Sequence, residues 1–241
     1  MFFNRIANQF NFFRIRENRS EPVKIEISDT RKCNAPVIKF VMEIMAILRK
    51  DDYVIFHGAA LAKNGGAKVF LGPSQSGKTT ISLFSAQNGY RLICDDVCVI
   101  NKKNLTVAPF VRNPLKVHSS AIRFFEECDI HVYSQNAAHT DKESRFKLND
   151  LRNMGISFAD KEYPIEKIHI FRNNEASILR NLPTLCYLWN LRSPEEVMED
   201  VKFFHHLLEH YPYKIGPGLN LNTARQRKVS YNQMRDLLGL T

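Results

Sequence analysis

The chain of 241 residues has no run approaching the eighteen or so uninterrupted apolar residues that a membrane-spanning helix needs, so a spanning segment is not expected. Its cysteines number 5, at positions 33, 94, 98, 128 and 186, an odd count with no CxxC pair. That spacing excludes a zinc ribbon and argues against a disulfide framework, as in a reducing cytoplasm. The N-terminal MFFNRIANQFNFFRIRENR lacks the continuous apolar stretch and small-residue cleavage site of a signal peptide. No internal repeat and no low-complexity segment interrupts the sequence. Apolar residues make up 44% and charged residues 24%, which excludes a disordered or collagen-like chain. What remains is a globular chain long enough for one sizeable core, read as a single domain over 1–241 with its centre at 53–101.

Acidic residues are also scarce. Against 34 Lys and Arg stand 25 Asp and Glu, a formal charge of +9. Nucleic acid, an anionic lipid surface, an acidic peptide and nucleotide phosphates all suit a basic surface, as does solubility alone. The positive charge is spread along the chain; only residues 1–19 and ARQRK at 224–228 are locally basic. Nucleic acid is therefore the less favoured partner.

Residues 1–20 place Phe2, Phe3, Ile6, Phe10 and Phe13 at helical spacing among arginines, an element that packs on the core or meets a partner or membrane surface. PVKIEIS at 22–28 alternates as a strand does, and Pro36 to Lys50 repeats with the helical period. YVIFHGAALAKNGGAKVFLG reads as two strands around an Asn64-Gly65-Gly66 turn. A helix over TTISLFSAQ should stop at Asn88-Gly89, and YRLICDDVCVI reads as one buried strand. Further strands are expected near VAPFV and over 165–173, with a loop-rich stretch from about 112 to 150 between them. Ser193-Pro194-Glu195-Glu196 is a capping box opening a helix to about His210, and a last helix spans about 231–238. The hairpin rules out a purely parallel sheet, so the expected fold is α/β with a mixed sheet and flanking helices.

Gly72-Pro73-Ser74-Gln75-Ser76-Gly77-Lys78-Thr79 fits G-x-x-x-x-G-K-[ST] in full, between an apolar strand and a helix that starts with Thr80 alongside. Glycines let such a loop wrap backbone amides around phosphates, and the following helix turns its positive end to the same anion. Lys78 is then expected on the β- and γ-phosphates, and Thr79 on Mg²⁺. Asp95 and Asp96 follow Thr80 by fifteen and sixteen positions. Two carboxylates ending an apolar strand need a partner or a metal. Strand neighbours face opposite ways, so a bulge or strand end is required for both to reach the phosphates. One would hold the metal; the other would accept a proton from an incoming hydroxyl. His57, beside Gly58 in VIFHGAA, falls on the first hairpin strand and reads equally well as a core histidine or as a partner that tunes an aspartate.

His-Gly, hairpin, phosphate loop, helix and Asp-Asp in this order over 56–100 resemble the catalytic core of the HPr kinase/phosphorylase family and its shorter relatives. The resemblance implies that ATP and Mg²⁺ are the cofactors, that Asp95 is the catalytic base with His57 beside it, and that Asp96 assists at the metal with Thr79. It also implies a peptide or protein substrate carrying an acceptor serine, and a homo-oligomer. Two positions depart from the family pattern: Ala121 in SSAIRFFEE replaces a metal-associated Glu, and Leu219 in IGPGLN replaces a late Arg. These departures point away from HPr itself and toward a serine on a ribosomally made precursor peptide, such as a lasso peptide. An HPr-kinase-type regulator and a nucleotide-dependent switch that transfers nothing are the alternatives.

Other chemistry-bearing residues read as surface or core. His205/Glu209 and His206/His210 sit at i, i+4 on the capped helix, a spacing that suits zinc, but surface histidines without an HExxH pattern are the commoner case. Cys94 and Cys98 read as core. Arg112, Lys116 and Arg123 face either the nucleotide or solvent, and Arg225, Arg227 and Lys228 either an acidic peptide or nothing.

Overall fold

A computed structural model describes residues 48, 52–111, 115–130, 138–140, 142–172, 185–186 and 193–240. The expected elements at 1–20 and 22–28 lie outside the described residues, as do Arg112 and all of the 36–50 helix except Leu48. The elements are numbered among the described residues.

Strands β1 (Tyr53–Phe56), β2 (Gly58–Lys63), β3 (Gly66–Leu71), β4 (Arg91–Asp95), β5 (Cys98–Asn101), β6 (Thr106–Ala108), β7 (Phe110–Val111), β11 (Tyr163–Arg172) and β12 (Tyr213–Pro217) form one nine-stranded sheet. Its order is β1-β5-β6-β11-β3-β2-β4-β7, with β12 paired to β11. The β11 pairs with β3 and β12 and the β4–β7 pair are parallel; the others are antiparallel. The sheet is mixed, as the hairpin required.

That hairpin joins β2 to β3 through a two-residue turn in which Asn64 (φ 54°) and Gly65 (φ 87°) both take the left-handed region. The run before it does not remain one strand. It breaks at His57: β1 pairs with β5, while β2 pairs with β3 and β4. The YRLICDDVCVI run breaks likewise at Asp96, whose φ of 70° ends β4 and turns the chain into β5.

The stretch read as loop-rich holds real elements. Strands β8 (Leu115–His118), β9 (Ala138–His139) and β10 (Glu143–Phe146) form a small antiparallel sheet, with helices α2 (Ser119–Glu127) and α3 (Leu148–Asn153) after its strands. SSAIRFFEE is thus an amphipathic helix, burying Ala121, Phe124 and Phe125.

Helices cover both faces of the large sheet. On one, α4 (Pro194–His210) buries Val197, Phe204 and Leu207 against Phe56, Ile168 and Ile170. Ser193 caps it as expected, its Oγ accepting from the Glu196 amide at 3.2 Å. On the other, α1 (Lys78–Gln87), α2 and α5 (Ala224–Leu238) pack around Phe70, Phe171 and Leu92. Helix α5 starts a full two turns before its expected start, capped by Thr223 and Gln226. Among the described residues no helix is long and apolar enough to cross a membrane.

One buried polar group stands out on the central strand β11. His169 is 2% exposed, stacks on Phe70 at 5.0 Å, and neither ring nitrogen has a hydrogen-bond partner among the described residues. Burial, helped by the positive charges of Lys167, Lys68 and Lys214, pushes it down to about 4. The folded protein thus resists a proton that the unfolded chain accepts near 6.5. The contribution of His169 should be fully present above about pH 6.5 and be lost progressively from there to about pH 4, about 3 kcal/mol in all. His169→Leu should flatten that part of the stability–pH curve in urea unfolding; an unchanged slope would exclude His169 as its source.

Candidate active site

The phosphate loop runs from the end of β3 to the start of α1 (Leu71 to Lys78). Gly77 is the N-cap of α1, with φ 94°, and a Cβ there would lie 2.6–2.8 Å from the side chain of Leu219. Only glycine meets both conditions. Leu219 itself is buried on the loop, with its amide donating to the Ser76 carbonyl at 3.0 Å. The position where the resemblance implied an arginine therefore does touch the loop, but brings it an apolar contact.

No side chain caps α1 and no acidic residue stands in its first turn, so its amide end is left for an anion. The Ser76 hydroxyl is buried in the loop without a partner. Ser74 and Gln75 are exposed at the tip, Pro73 is half-buried, and Thr80 is buried in the helix. Lys78 folds back over the loop, its Nζ donating to the carbonyls of Gly72 at 2.8 Å and Pro73 at 2.7 Å. Burial pulls its ammonium down to about 8, against the pull of Asp95 and Asp96.

The end of β4 brings both carboxylates to this loop, and the strand end that the sequence required is the left-handed turn at Asp96. Their partners differ. Thr79 Oγ1 donates to Asp95 Oδ2 at 2.9 Å, while His57 Nδ1 lies 3.3 Å from Asp96 Oδ1. The expected pairing of His57 with Asp95 is therefore corrected to His57 with Asp96. His57 sits in the break between β1 and β2, with its amide on the Leu185 carbonyl at 2.6 Å, and the break turns it to Asp96. Gly58 beside it is required: a Cβ there would meet Leu71 Cδ2 at 2.5 Å and the Phe70 carbonyl at 3.0 Å.

Asp95 is buried, and burial together with the charge of Asp96 pushes its carboxyl up to about 7, although the Thr79 hydrogen bond and Lys78 oppose the rise. Its Oδ1 has no hydrogen-bond partner among the described residues. His57 is pushed down by burial and by Lys78, with Asp96 acting the other way, which keeps its ring neutral at pH 7. A buried carboxylate with an orphaned oxygen, a hydroxyl bonded to it and a second carboxylate beside it form an oxygen donor set that fits Mg²⁺. Thr79, Asp95 and Asp96 are the residues that would hold it.

The remaining candidates lie elsewhere. Donor atoms of His206, Glu209 and His210 come within 4.8 Å of one another on the exposed end of α4, and His205 pairs with Glu209 at 3.4 Å. Lys116 pairs with Glu143 at 3.8 Å, Arg227 bonds Glu127, and Arg123, Arg225 and Lys228 are exposed. Cys94 and Cys98 are buried, on β4 and β5.

No protein-family model matches the chain. A search of the curated proteins finds HPr kinase/phosphorylase of Prosthecochloris aestuarii, 30% identical over 93 residues, which are 39% of this chain and 27% of that protein. Among solved structures, the HPr(Ser) kinase/phosphatase from Coxiella burnetii overlaps 77% of this chain and 92% of that one, with 12% identity and a TM-score of 0.36. The matched part spans about a quarter of the curated relative's length. Over those 93 residues the chain is similar in sequence to an HPr kinase/phosphorylase.

Proposed function

We propose that this protein is a kinase that passes the γ-phosphoryl group of ATP to a serine hydroxyl of a peptide or protein. The observation that carries this reading is the side-by-side placement of Thr79–Asp95 and His57–Asp96 against the phosphate loop. One pair suits a metal, the other a proton, and phosphoryl transfer to a hydroxyl needs both.

The loop amides and the first turn of α1 bind the phosphates. Lys78 exchanges the carbonyls of Gly72 and Pro73 for phosphate oxygens and spreads the charge that develops on them. Thr79 and Asp95, with Asp96 adjacent, would hold Mg²⁺, which would supply neutralisation of the phosphate charge. Asp96 accepts the proton of the attacking serine hydroxyl. The serine oxygen forms the new bond to the γ-phosphorus as the bond from that phosphorus to the bridging β–γ oxygen breaks, and ADP leaves. His57 holds Asp96 through Nδ1–H. These roles exchange those expected for Asp95 and Asp96, because Asp95 is the buried carboxylate bonded to Thr79 and Asp96 the one open to an acceptor. Among acceptors we favour a ribosomally made precursor peptide, on the strength of Leu219 and Ala121.

Asp95, pushed up to about 7, would have to give up its proton before it could hold a metal. Apparent Mg²⁺ affinity should fall about tenfold per pH unit below 7, and binding should release a proton. Calorimetry in buffers of different ionisation enthalpy would read the release, and Asp95→Asn should abolish it. A pH-independent affinity would contradict the assignment. The transfer itself is tested with γ-labelled ATP, with and without serine peptides. Label that leaves only as inorganic phosphate, whatever peptide is present, would overturn the kinase reading.

A further inference from the structure

Strand β12 is an edge strand, and among the described residues no strand pairs with its outer side. Its ladder to β11 begins with the Ile168 amide on the Pro212 carbonyl and ends with the Gly218 amide on the Arg172 carbonyl. In a parallel ladder alternate residues bond the same neighbour. Positions 212, 214, 216 and 218 therefore spend their backbone groups on β11, and Tyr213 and Ile215 direct theirs outward.

The side chains sort by face. Tyr213 and Ile215 stand in register with Ile168 and Ile170 and continue that apolar face beyond the core, 49% and 38% exposed. Lys214 stands in register with His169 on the opposite face, whereas Lys68, two strands further in, is bonded to Tyr90 and Leu238. An edge left unpaired among the described residues invites a further strand. This one runs into the site: Leu219, two residues past β12, packs on Gly77 and bonds Ser76.

We propose that the acceptor docks as an added strand on the outer edge of β12, an extended segment alternating apolar and acidic residues with its serine beyond the Pro217 end. Its apolar residues cover Tyr213 and Ile215, and its acidic residues meet the exposed Lys214, in keeping with the chain's charge of +9. Only the identity of what is delivered rests on the kinase reading; the strand addition stands on the edge itself.

The probe is a fluorescein-labelled nonapeptide of alternating glutamate and valine ending in serine, followed by fluorescence anisotropy with the full chain. Ile215→Pro removes one outward amide and leaves the β11 ladder intact, so the fold should survive. It should weaken the probe at least tenfold with ATP affinity unchanged. Lys214→Glu should also weaken it, and should favour the matching lysine–valine peptide instead. Failure of the wild-type chain to bind the probe, or equal binding by Ile215→Pro, would overturn the proposal. So would a wild-type dimer in sedimentation that Ile215→Pro dissolves, since a second copy would then own the edge. Edge-dependent binding without label transfer from ATP would leave the docking intact and remove the kinase reading.

Discussion

Asp96→Asn should bind Mg·ATP within a few-fold of wild type and lose phosphoryl transfer by a factor of about 10²–10⁴, the range for a missing general base. Asparagine keeps the shape and can still meet His57, but it cannot take a proton. Asp96 is the carboxylate able to do so: its side chain is 32% exposed, whereas Asp95 is buried on Thr79. Asp95→Asn should instead raise the Mg²⁺ needed for half-maximal activity, with transfer recovering at high Mg²⁺. His57→Ala should cost less than Asp96→Asn, since His57 only positions the carboxylate, and it should shift the acid limb of the kcat profile. Single-turnover transfer at saturating Mg·ATP separates these outcomes. If Asp95→Asn is dead at all Mg²⁺ levels and Asp96→Asn transfers normally, Asp95 is the base after all.

Lys78→Ala should weaken ATP binding by about a hundredfold or more. The ammonium makes two hydrogen bonds to loop carbonyls, and in the complex these become charge-assisted bonds to phosphate, each contributing roughly 1.5–3 kcal/mol. Removing it also takes away a positive charge that acts on Asp95 and Asp96. The fold should tolerate the change, because burial already disfavours this ammonium, pulling it to about 8. Lys78→Arg should not rescue, since a planar fork does not fit where a point charge sits between two carbonyls. Calorimetric titration with ATP measures the loss; affinity within threefold of wild type would remove Lys78 from the phosphates.

Local signals carried far into this fold. Asn64-Gly65 fixed a turn by its φ demands, Ser193 fixed a helix start, and the phosphate loop announced strand and helix on either side. What stayed hidden depended on pairing across the sheet. Nothing in VIFHGAA or CDDVC breaks a strand by composition. The breaks at His57 and Asp96 exist because β1 and β5 leave the hairpin to pair with each other. Those breaks decide which aspartate meets the histidine, so which residues gather at the phosphate loop was legible and their pairing was not. Between 112 and 150 the strands are only 2–4 residues long, too short for alternation to show against charged positions. The capping box at Thr223 was readable but masked by the basic run ARQRK behind it. Leu219 over Gly77 joins residues 142 positions apart, a contact that spacing alone does not reveal.

The decisive measurement is label transfer from γ-labelled ATP to a degenerate serine-peptide library, with mass spectrometry to locate the phosphate. Wild-type protein with Mg²⁺ should place label covalently on serine, enriched in peptides with acidic and apolar residues in alternation, and Asp96→Asn should place almost none. Label recovered only as inorganic phosphate from every peptide pool, or retained entirely on ATP, would contradict phosphoryl transfer by this site.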